Sequence, residues 1–289
     1  MAERNKRPVS APAQPLPAGA WDCHAHVFGP FDRWPLLEDR RNEPPLAPAE
    51  DYLEMLDTVG FRHGVVVHAQ AKGNSNDNAA DTLSRRPADL RGVGYLPPGA
   101  TDADFQSLHD RGFRALRITE NGKRAPGTPG SLTFDDLDRL APRMREMGWH
   151  VDIWGRCELI VPQMARIESH GLPVIFDHMG HFAVSDAGLD PNLPVFVDYL
   201  KQTGFYAKLT VIRVTRSAWP HDDVRPYHDA LVAAVPDQLV FGTDWPYISL
   251  DAAPPDAGRF VDLFDDWTRD AGIRQKVFVE NPARFHGAG

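Results

Sequence analysis

Eight short apolar or β-branched runs recur along the chain, alternating with polar stretches that carry helical patterning. The runs are residues 21–27, 63–69, 90–96, 113–119, 149–154, 173–179, 205–210 and 239–245. Strand-then-helix alternation predicts parallel strands with helical crossovers, and eight such units close a barrel. The sequence therefore predicts an α/β fold, a single-domain (β/α)8 TIM barrel over residues 21–289, with a doubly wound open sheet as the alternative. Residues 1–20, rich in Ala and Pro, are expected to form a flexible N-terminal segment.

The charge balance argues against a polyanionic partner. Forty acidic residues stand against 31 basic residues, a formal charge of −9, whereas nucleic acids and acidic membranes favour basic surfaces. No signal-peptide core or membrane-spanning apolar run is found, and Cys23 and Cys157 fit free thiols in a reducing compartment. We expect a cytoplasmic protein with no nucleic-acid or membrane partner, and the oligomeric state stays open.

Histidine and aspartate residues occur on three of the eight predicted strands. The first strand carries His24 and His26, which alternation points to the same side. The sixth run ends near His178 and the eighth near Asp244. Taken singly, the histidines could be core residues with satisfied hydrogen bonds, and Asp244 could cap a turn. An apolar barrel core offers such groups no partner unless its mouth is polar and used, so we predict that the four meet in one pocket.

Several motifs around these residues resemble one enzyme family. They are Asp-x-His-x-His from residue 22, Asp-His-Met-Gly from residue 177, Gly-Thr-Asp-Trp-Pro from residue 242 and Glu-Asn-Pro-Ala-Arg-Phe from residue 280. Together they resemble the amidohydrolase superfamily, in its amidohydrolase-2 branch, over about residues 21–286. The segments around residues 24–30, 148–151 and 176–180 are similar to the 2-pyrone-4,6-dicarboxylate lactonases and related lactone hydrolases.

This resemblance implies hydrolysis of a lactone. His24, His26 and His178 would surround the lactone carbonyl and stabilise the developing oxyanion, and Asp244 would take a proton from the attacking water. The chemistry is reasonable in itself, because opening a cyclic ester needs a base and charge stabilisation on the carbonyl oxygen.

The resemblance also implies that basic residues bind a substrate carboxylate. These would be Arg117 on strand four, Arg124 (or Lys123) just after it, and Arg213 beyond strand seven. Arginine forks suit planar carboxylates, although salt bridges at the barrel rim would explain Arg117 and Arg213 equally well from the sequence alone. In the polar segment after strand two, Gln70 and Ser75 are candidate substrate ligands, as is His68, while turn formation explains the same segment.

The family resemblance implies that no metal cofactor is needed. Strands four and five end in Arg117-Ile118-Thr119 and Ile153-Trp154, which leaves the ligand set usual in metal-dependent members short of one residue. One divalent metal, Zn or Mn, at His24, His26 and Asp244 is the alternative. It would fit a decarboxylase or hydratase of the same branch. Two further functions are considered for this sequence, a sugar-lactone isomerase and a non-catalytic ligand-binding barrel.

Three positions depart from the lactonase pattern. Arg40-Arg41-Asn42 replaces an arginine–tyrosine segment, Trp154 replaces a tyrosine, and Tyr247 stands where histidine often follows Trp-Pro. The loss of these donors predicts the same reaction on a different ring. The expected partner is therefore a small anionic lactone whose ring the sequence does not identify.

Overall fold

The barrel predicted from the eight runs is confirmed by a computed structural model that describes residues 6–40, 42–120, 122, 127–250 and 254–287. Eight parallel strands pair in chain order from first to last. The strands are β1 (Trp21–Ala25), β2 (His63–Val67), β3 (Leu90–Gly94), β4 (Phe113–Glu120), β5 (His150–Gly155), β6 (Val174–Phe176), β7 (Tyr206–Leu209) and β8 (Leu239–Phe241). Each lies inside or overlaps a predicted run.

Helices follow the strands and cover the outside of the barrel. Within the described residues they are α1 (Ala49–Val59), α2 (Asp77–Arg85), α3 (Asp102–Asp110), α4 (Phe134–Glu146), α5 (Cys157–Ile160), α6 (Met164–Ser169), α7 (Leu193–Thr203), α8 (Arg225–Ala234), α9 (Ala257–Trp267), α10 (Ala271–Gln275) and α11 (Asn281–His286). Helices α5 and α6 are separated by a 3-10 turn at Val161–Gln163, where Pro162 has no N–H to donate. None of these helices is long and apolar enough to cross a membrane.

The strands are short and almost wholly buried because helices cover their outer faces while side chains fill the interior. Every residue of β1, β6, β7 and β8 is buried. A polar side chain on such a strand therefore reaches either the barrel interior or its mouth. This geometry brings residues from distant parts of the sequence together.

The seam between β1 and β8 closes the barrel at the level of the predicted catalytic residues. The backbone N–H of Asp244 donates to the carbonyl of His24 at 2.8 Å, and that of His26 donates to the carbonyl of Trp245 at 2.7 Å. Below them the buried Asp22 carboxylate accepts hydrogen bonds from the backbone N–H and the hydroxyl of Thr243, at 2.8 and 3.0 Å. The contacts that close the barrel therefore also fix the positions of its candidate catalytic groups.

Residues 6–20 of the N-terminal segment follow a defined course along the outside of the barrel. The Arg7 side chain is buried and donates to the carbonyl of Pro246, and Ser10 donates to the Asp256 carboxylate. The Arg274 guanidinium bonds the carbonyls of two further residues in this segment, 14 and 15. The domain boundary at residue 20 stays a prediction, and these contacts anchor the segment that precedes it.

We expect Thr243→Val to lower the free energy of unfolding by about 1 to 3 kcal/mol, because it removes a donor from the buried Asp22 carboxylate. Trp245 N–H also loses the Thr243 hydroxyl as its acceptor. The matched control is Thr210→Val, since the buried Thr210 hydroxyl has no hydrogen-bond partner among the described residues. That variant should stay within about 0.5 kcal/mol of the wild type in urea unfolding. Equal effects of the two substitutions would contradict the role given to the seam.

Candidate active site

The four predicted catalytic residues meet at the mouth of the barrel, and all of them are buried. One oxygen of Asp244, Oδ1, lies 3.6 Å from His24 Nε2 and 3.5 Å from His26 Nε2. The His24 ring centroid lies 5.0 Å from that of His26 and 4.9 Å from that of His178. Strand β1 supplies His24, the residue directly after it supplies His26, and the turns after β6 and β8 supply the others.

Two of these residues occupy backbone conformations that side chains other than glycine rarely adopt. His178 has φ 51° and Asp244 has φ 59°, both in the left-handed region, and Met179 beside His178 has φ 56°. Such conformations carry a cost and persist where the surrounding structure enforces them, commonly at functional sites. Here they occur in the turns that leave β6 and β8 at the carboxyl end of the barrel.

A cavity of about 210 Å³ opens at this mouth. Its polar wall contains His26, His178, Asp244, Arg117, Arg213, Gln70, Asn42 and Trp154. His24 is not part of the described wall. It lies one layer deeper, behind His26 and His178, so its contact with a substrate would be through these neighbours.

Two arginines reach the cavity, and their carboxylate partners differ in position. Arg117 donates from Nε and Nη2 to Asp177 Oδ2 at 3.0 and 2.8 Å, and Asp177 is fully buried behind the wall. Arg213 donates from Nε to Asp244 Oδ2 at 2.5 Å and from Nη1 to the carbonyl of Ile248 at 2.8 Å. The side chains of Arg117 and Arg213 are 12% and 23% exposed, so the cavity presents positive charge.

The other residues predicted to bind substrate do not all lie at the cavity. Gln70 lines the cavity and donates to the carbonyl of Pro129. Ser75 is exposed and bonds the Asp77 carboxylate, and it is not among the described cavity residues. His68 is buried against Tyr95, with its carbonyl accepting from Arg117. Arg124, like Lys123, lies outside the described residues.

Asn42 and Trp154, at two of the positions that depart from the lactonase pattern, line the cavity. Trp154 packs under the Arg117 guanidinium at 5.5 Å. Tyr247, at the third, is fully buried, so it does not supply a hydroxyl at the surface. The substrate would meet an amide and an indole where the lactonase pattern has phenols.

Sequence reasoning missed a buried ionic cluster that supports the site. Lys208 on β7 is fully buried and forms ion pairs with Asp152 and with Asp177 Oδ1, the latter at 3.0 Å. Its ammonium also lies 3.3 Å from His24 Nδ1, and Asp177 Oδ1 lies 3.2 Å from the same nitrogen. A lysine inside the apolar run Tyr206–Leu209 was the available signal, because a buried charge needs a partner.

The electrostatic surroundings keep the imidazoles neutral and the carboxylate charged. Burial lowers the pKa of His26 to about 4 and holds those of His24 and His178 below their ordinary value. Burial alone would raise the pKa of Asp244, but the Arg213 guanidinium and the adjacent imidazoles lower it below its usual range. The site therefore combines neutral imidazoles with an ionised carboxylate near neutral pH.

The closed eight-stranded barrel and the ionisable groups at its carboxyl end define a (β/α)8-barrel enzyme site. Residues 21–288 match the amidohydrolase family, and the chain belongs to this family. The resemblance inferred from the motifs is thereby confirmed.

Two relatives align along nearly the whole chain. A 4-sulfomuconolactone hydrolase from Rhizobium radiobacter is 33% identical over 94% of this chain and 91% of its own length. A 2-pyrone-4,6-dicarboxylate hydrolase from Comamonas testosteroni is 29% identical over 96% of this chain and 93% of its own. A Pseudomonas putida structure described as a 2-pyrone-4,6-dicarboxylic acid hydrolase superimposes with a TM-score of 0.81 at 26% identity, covering 94% and 99% of the two chains.

We expect Lys208→Met to lower the free energy of unfolding by about 3 to 5 kcal/mol, because it removes the Lys208 ion pair of the buried Asp152 and leaves Asp177 with Arg117. Lys201→Met is the matched control, since Lys201 is half exposed and pairs only weakly with Asp198. That control should cost less than about 1 kcal/mol in urea unfolding. Adding Asp152→Asn to Lys208→Met should recover part of the loss. A Lys208→Met variant as stable as the control would refute the cluster's supporting role.

Proposed function

We propose that the protein is a metal-independent hydrolase that opens a small carboxylated or otherwise anionic lactone. The observation that carries this proposal is the asymmetry of charge around the cavity. Two guanidinium groups face it, whereas the carboxylate that balances Arg117 is buried behind the wall. An anionic ring would be attracted into a site that also contains a carboxylate and two imidazoles.

The hydrogen-bond directions suggest where the attacking water binds. His26 Nδ1 lies 2.8 Å from the carbonyl of Val67, which can only accept, so this nitrogen carries the hydrogen. The neutral ring therefore presents a lone pair at Nε2, and this atom faces Asp244 Oδ1 at 3.5 Å. A water molecule beside these two acceptors can donate a hydrogen to Asp244 Oδ1. We assign this position to the nucleophilic water.

The reaction then follows from ordinary ester chemistry. The water oxygen attacks the lactone carbonyl carbon while Asp244 accepts its proton. His178, which borders the cavity, would donate to the carbonyl oxygen as it becomes negative. Collapse of the tetrahedral intermediate breaks the bond to the ring oxygen, which receives the proton held by Asp244. The product is an open-chain hydroxy acid or its keto tautomer.

The relatives support the substrate class. One is named for 4-sulfomuconolactone and another for 2-pyrone-4,6-dicarboxylate, and both names describe lactones that bear acidic groups. Arg117 and Arg213 supply the cationic groups that such a substrate needs. We assign them to substrate binding together with Gln70, and leave Arg124 as a prediction from the sequence.

The spacing of His24, His26 and Asp244 suits a divalent metal, but the charge of the residues around them does not. The donor atoms of His24, His26 and Asp244 all lie within 4.8 Å of one another. However, three cations, Arg117, Lys208 and Arg213, already balance the carboxylates Asp152, Asp177 and Asp244. A divalent ion would add two positive charges to this buried cluster without compensation. We therefore derive no step through a metal.

A panel of lactones tests this function directly. Protein treated with EDTA should hydrolyse at least one carboxylated or sulfonated lactone to an open-chain acid, with proton release followed by a pH indicator. Loss of activity with EDTA and its recovery with zinc or manganese would instead support the metal-dependent lyase. A product that remains cyclic would support an isomerase.

We expect Asp244→Asn to lower kcat by about 1000-fold, because the amide cannot accept the proton of the water. The matched control is Asp237→Asn, at the opposite end of β8, where the carboxylate pairs with the half-exposed Lys276. Steady-state rates and thermal unfolding of both variants separate catalysis from stability. Turnover by Asp244→Asn within tenfold of the wild type, roughly 1.4 kcal/mol in barrier, would refute the assignment of the base.

A further inference from the structure

The carboxylate assigned as the base is held by an arginine that is itself assigned to the substrate. Arg213 Nε donates to Asp244 Oδ2 at 2.5 Å, while the other oxygen, Oδ1, faces His24 and His26. A charge-assisted hydrogen bond of this kind stabilises the carboxylate and weakens it as a proton acceptor. An efficient base at this position therefore needs the contact to be loosened during the reaction.

Arg213 has the donors and the exposure to exchange partners. A guanidinium has five N–H groups, and the contacts to Asp244 and Ile248 use two of them. The side chain also borders a second cavity of about 410 Å³, whose wall includes Arg156 and His181. An anion can therefore approach Arg213 from a cavity whose lining residues do not include Asp244.

We propose that Arg213 couples substrate recognition to catalysis by exchanging ion-pair partners. The anionic group of the substrate binds the outward N–H groups, draws the guanidinium away from Asp244 and frees the carboxylate for the attacking water. A neutral lactone leaves the Arg213–Asp244 pair in place and is turned over slowly even when bound. This inference rests on the proposed function, and it makes the anion a requirement for turnover as well as for affinity.

Arg117 differs from Arg213 in this respect. It donates two N–H groups to Asp177, which Lys208 also holds from behind. Since Asp177 is fully buried and does not border the cavity, displacing Arg117 would leave a buried carboxylate with one cation fewer. Arg117 is therefore a fixed anchor, and Arg213 is the specificity-determining residue that responds to the anion.

Two lactones with the same ring, one carboxylated and one neutral, test the coupling in Arg213→Gln. For the carboxylated lactone, kcat/KM should fall by about 100-fold, because a charged contact is lost. For the neutral lactone, kcat should rise several-fold, because Asp244 is released from its ion pair. The matched control is Arg225→Gln, since Arg225 is half exposed, pairs with Asp229 and is not among the residues that line either cavity. It should resemble the wild type on both lactones.

A second experiment uses the wild-type protein and does not depend on the folding of a variant. Acetate or methanesulfonate, added with the neutral lactone, should raise kcat saturably by binding Arg213 in place of the missing group. The same ions should have no effect on Arg213→Gln. A matched sodium chloride series corrects for ionic strength.

The outcomes separate three roles for Arg213. A fall in kcat on both lactones in Arg213→Gln would mean that the arginine only orients Asp244, and an unchanged rate on the neutral lactone would mean that it only binds substrate. Either result overturns the coupling, as does the absence of activation by both anions in the wild type. Failure of the wild type on every anionic lactone would instead refute the proposed function and the inference with it.

Discussion

The buried carboxylate of Asp177 is the group on which the organisation of the active site depends. It has no exposure to solvent, and it is held by Arg117 on one oxygen and by Lys208 on the other. Removing a carboxylate from water costs several kcal/mol unless cations and donors surround it. Satisfying this one group fixes Arg117 at the cavity wall and sets Lys208 against His24. The positions of the His24 imidazole and of the Arg117 guanidinium thus follow from the same requirement.

The barrel seam imposes a second constraint on the same region. Backbone hydrogen bonds join His24 to Asp244 and His26 to Trp245. The contacts that close the sheet therefore also position the residues of the site. The same closure holds the Asp244 carboxylate 3.5 to 3.6 Å from an imidazole nitrogen of His24 and of His26. A site built on strand ends is more rigid than one built on loops alone.

The two arginines show how similar residues can take different roles in one pocket. Arg117 pairs with Asp177, which no substrate can reach, whereas Arg213 pairs with Asp244, the proposed catalytic base. An anion that binds both would be positioned by the first and would activate the base through the second. The charge of the substrate would then contribute to the rate, which distinguishes this arrangement from a purely electrostatic attraction.

The sequence by itself determined the barrel, its eight strands and the meeting of His24, His26, His178 and Asp244. The alternation of strands with helices, the order of the strands and the polar residues at the strand ends can all be read from the amino-acid sequence. Only the tertiary structure decided that His24 lies behind the wall, that Ser75 lies away from it, and that Lys208 is joined to the site. These features depend on which side chains meet across the barrel interior. Sequence spacing does not encode such contacts, since residues of β1, β4 and β7 become neighbours of the Asp177 carboxylate only when the barrel closes.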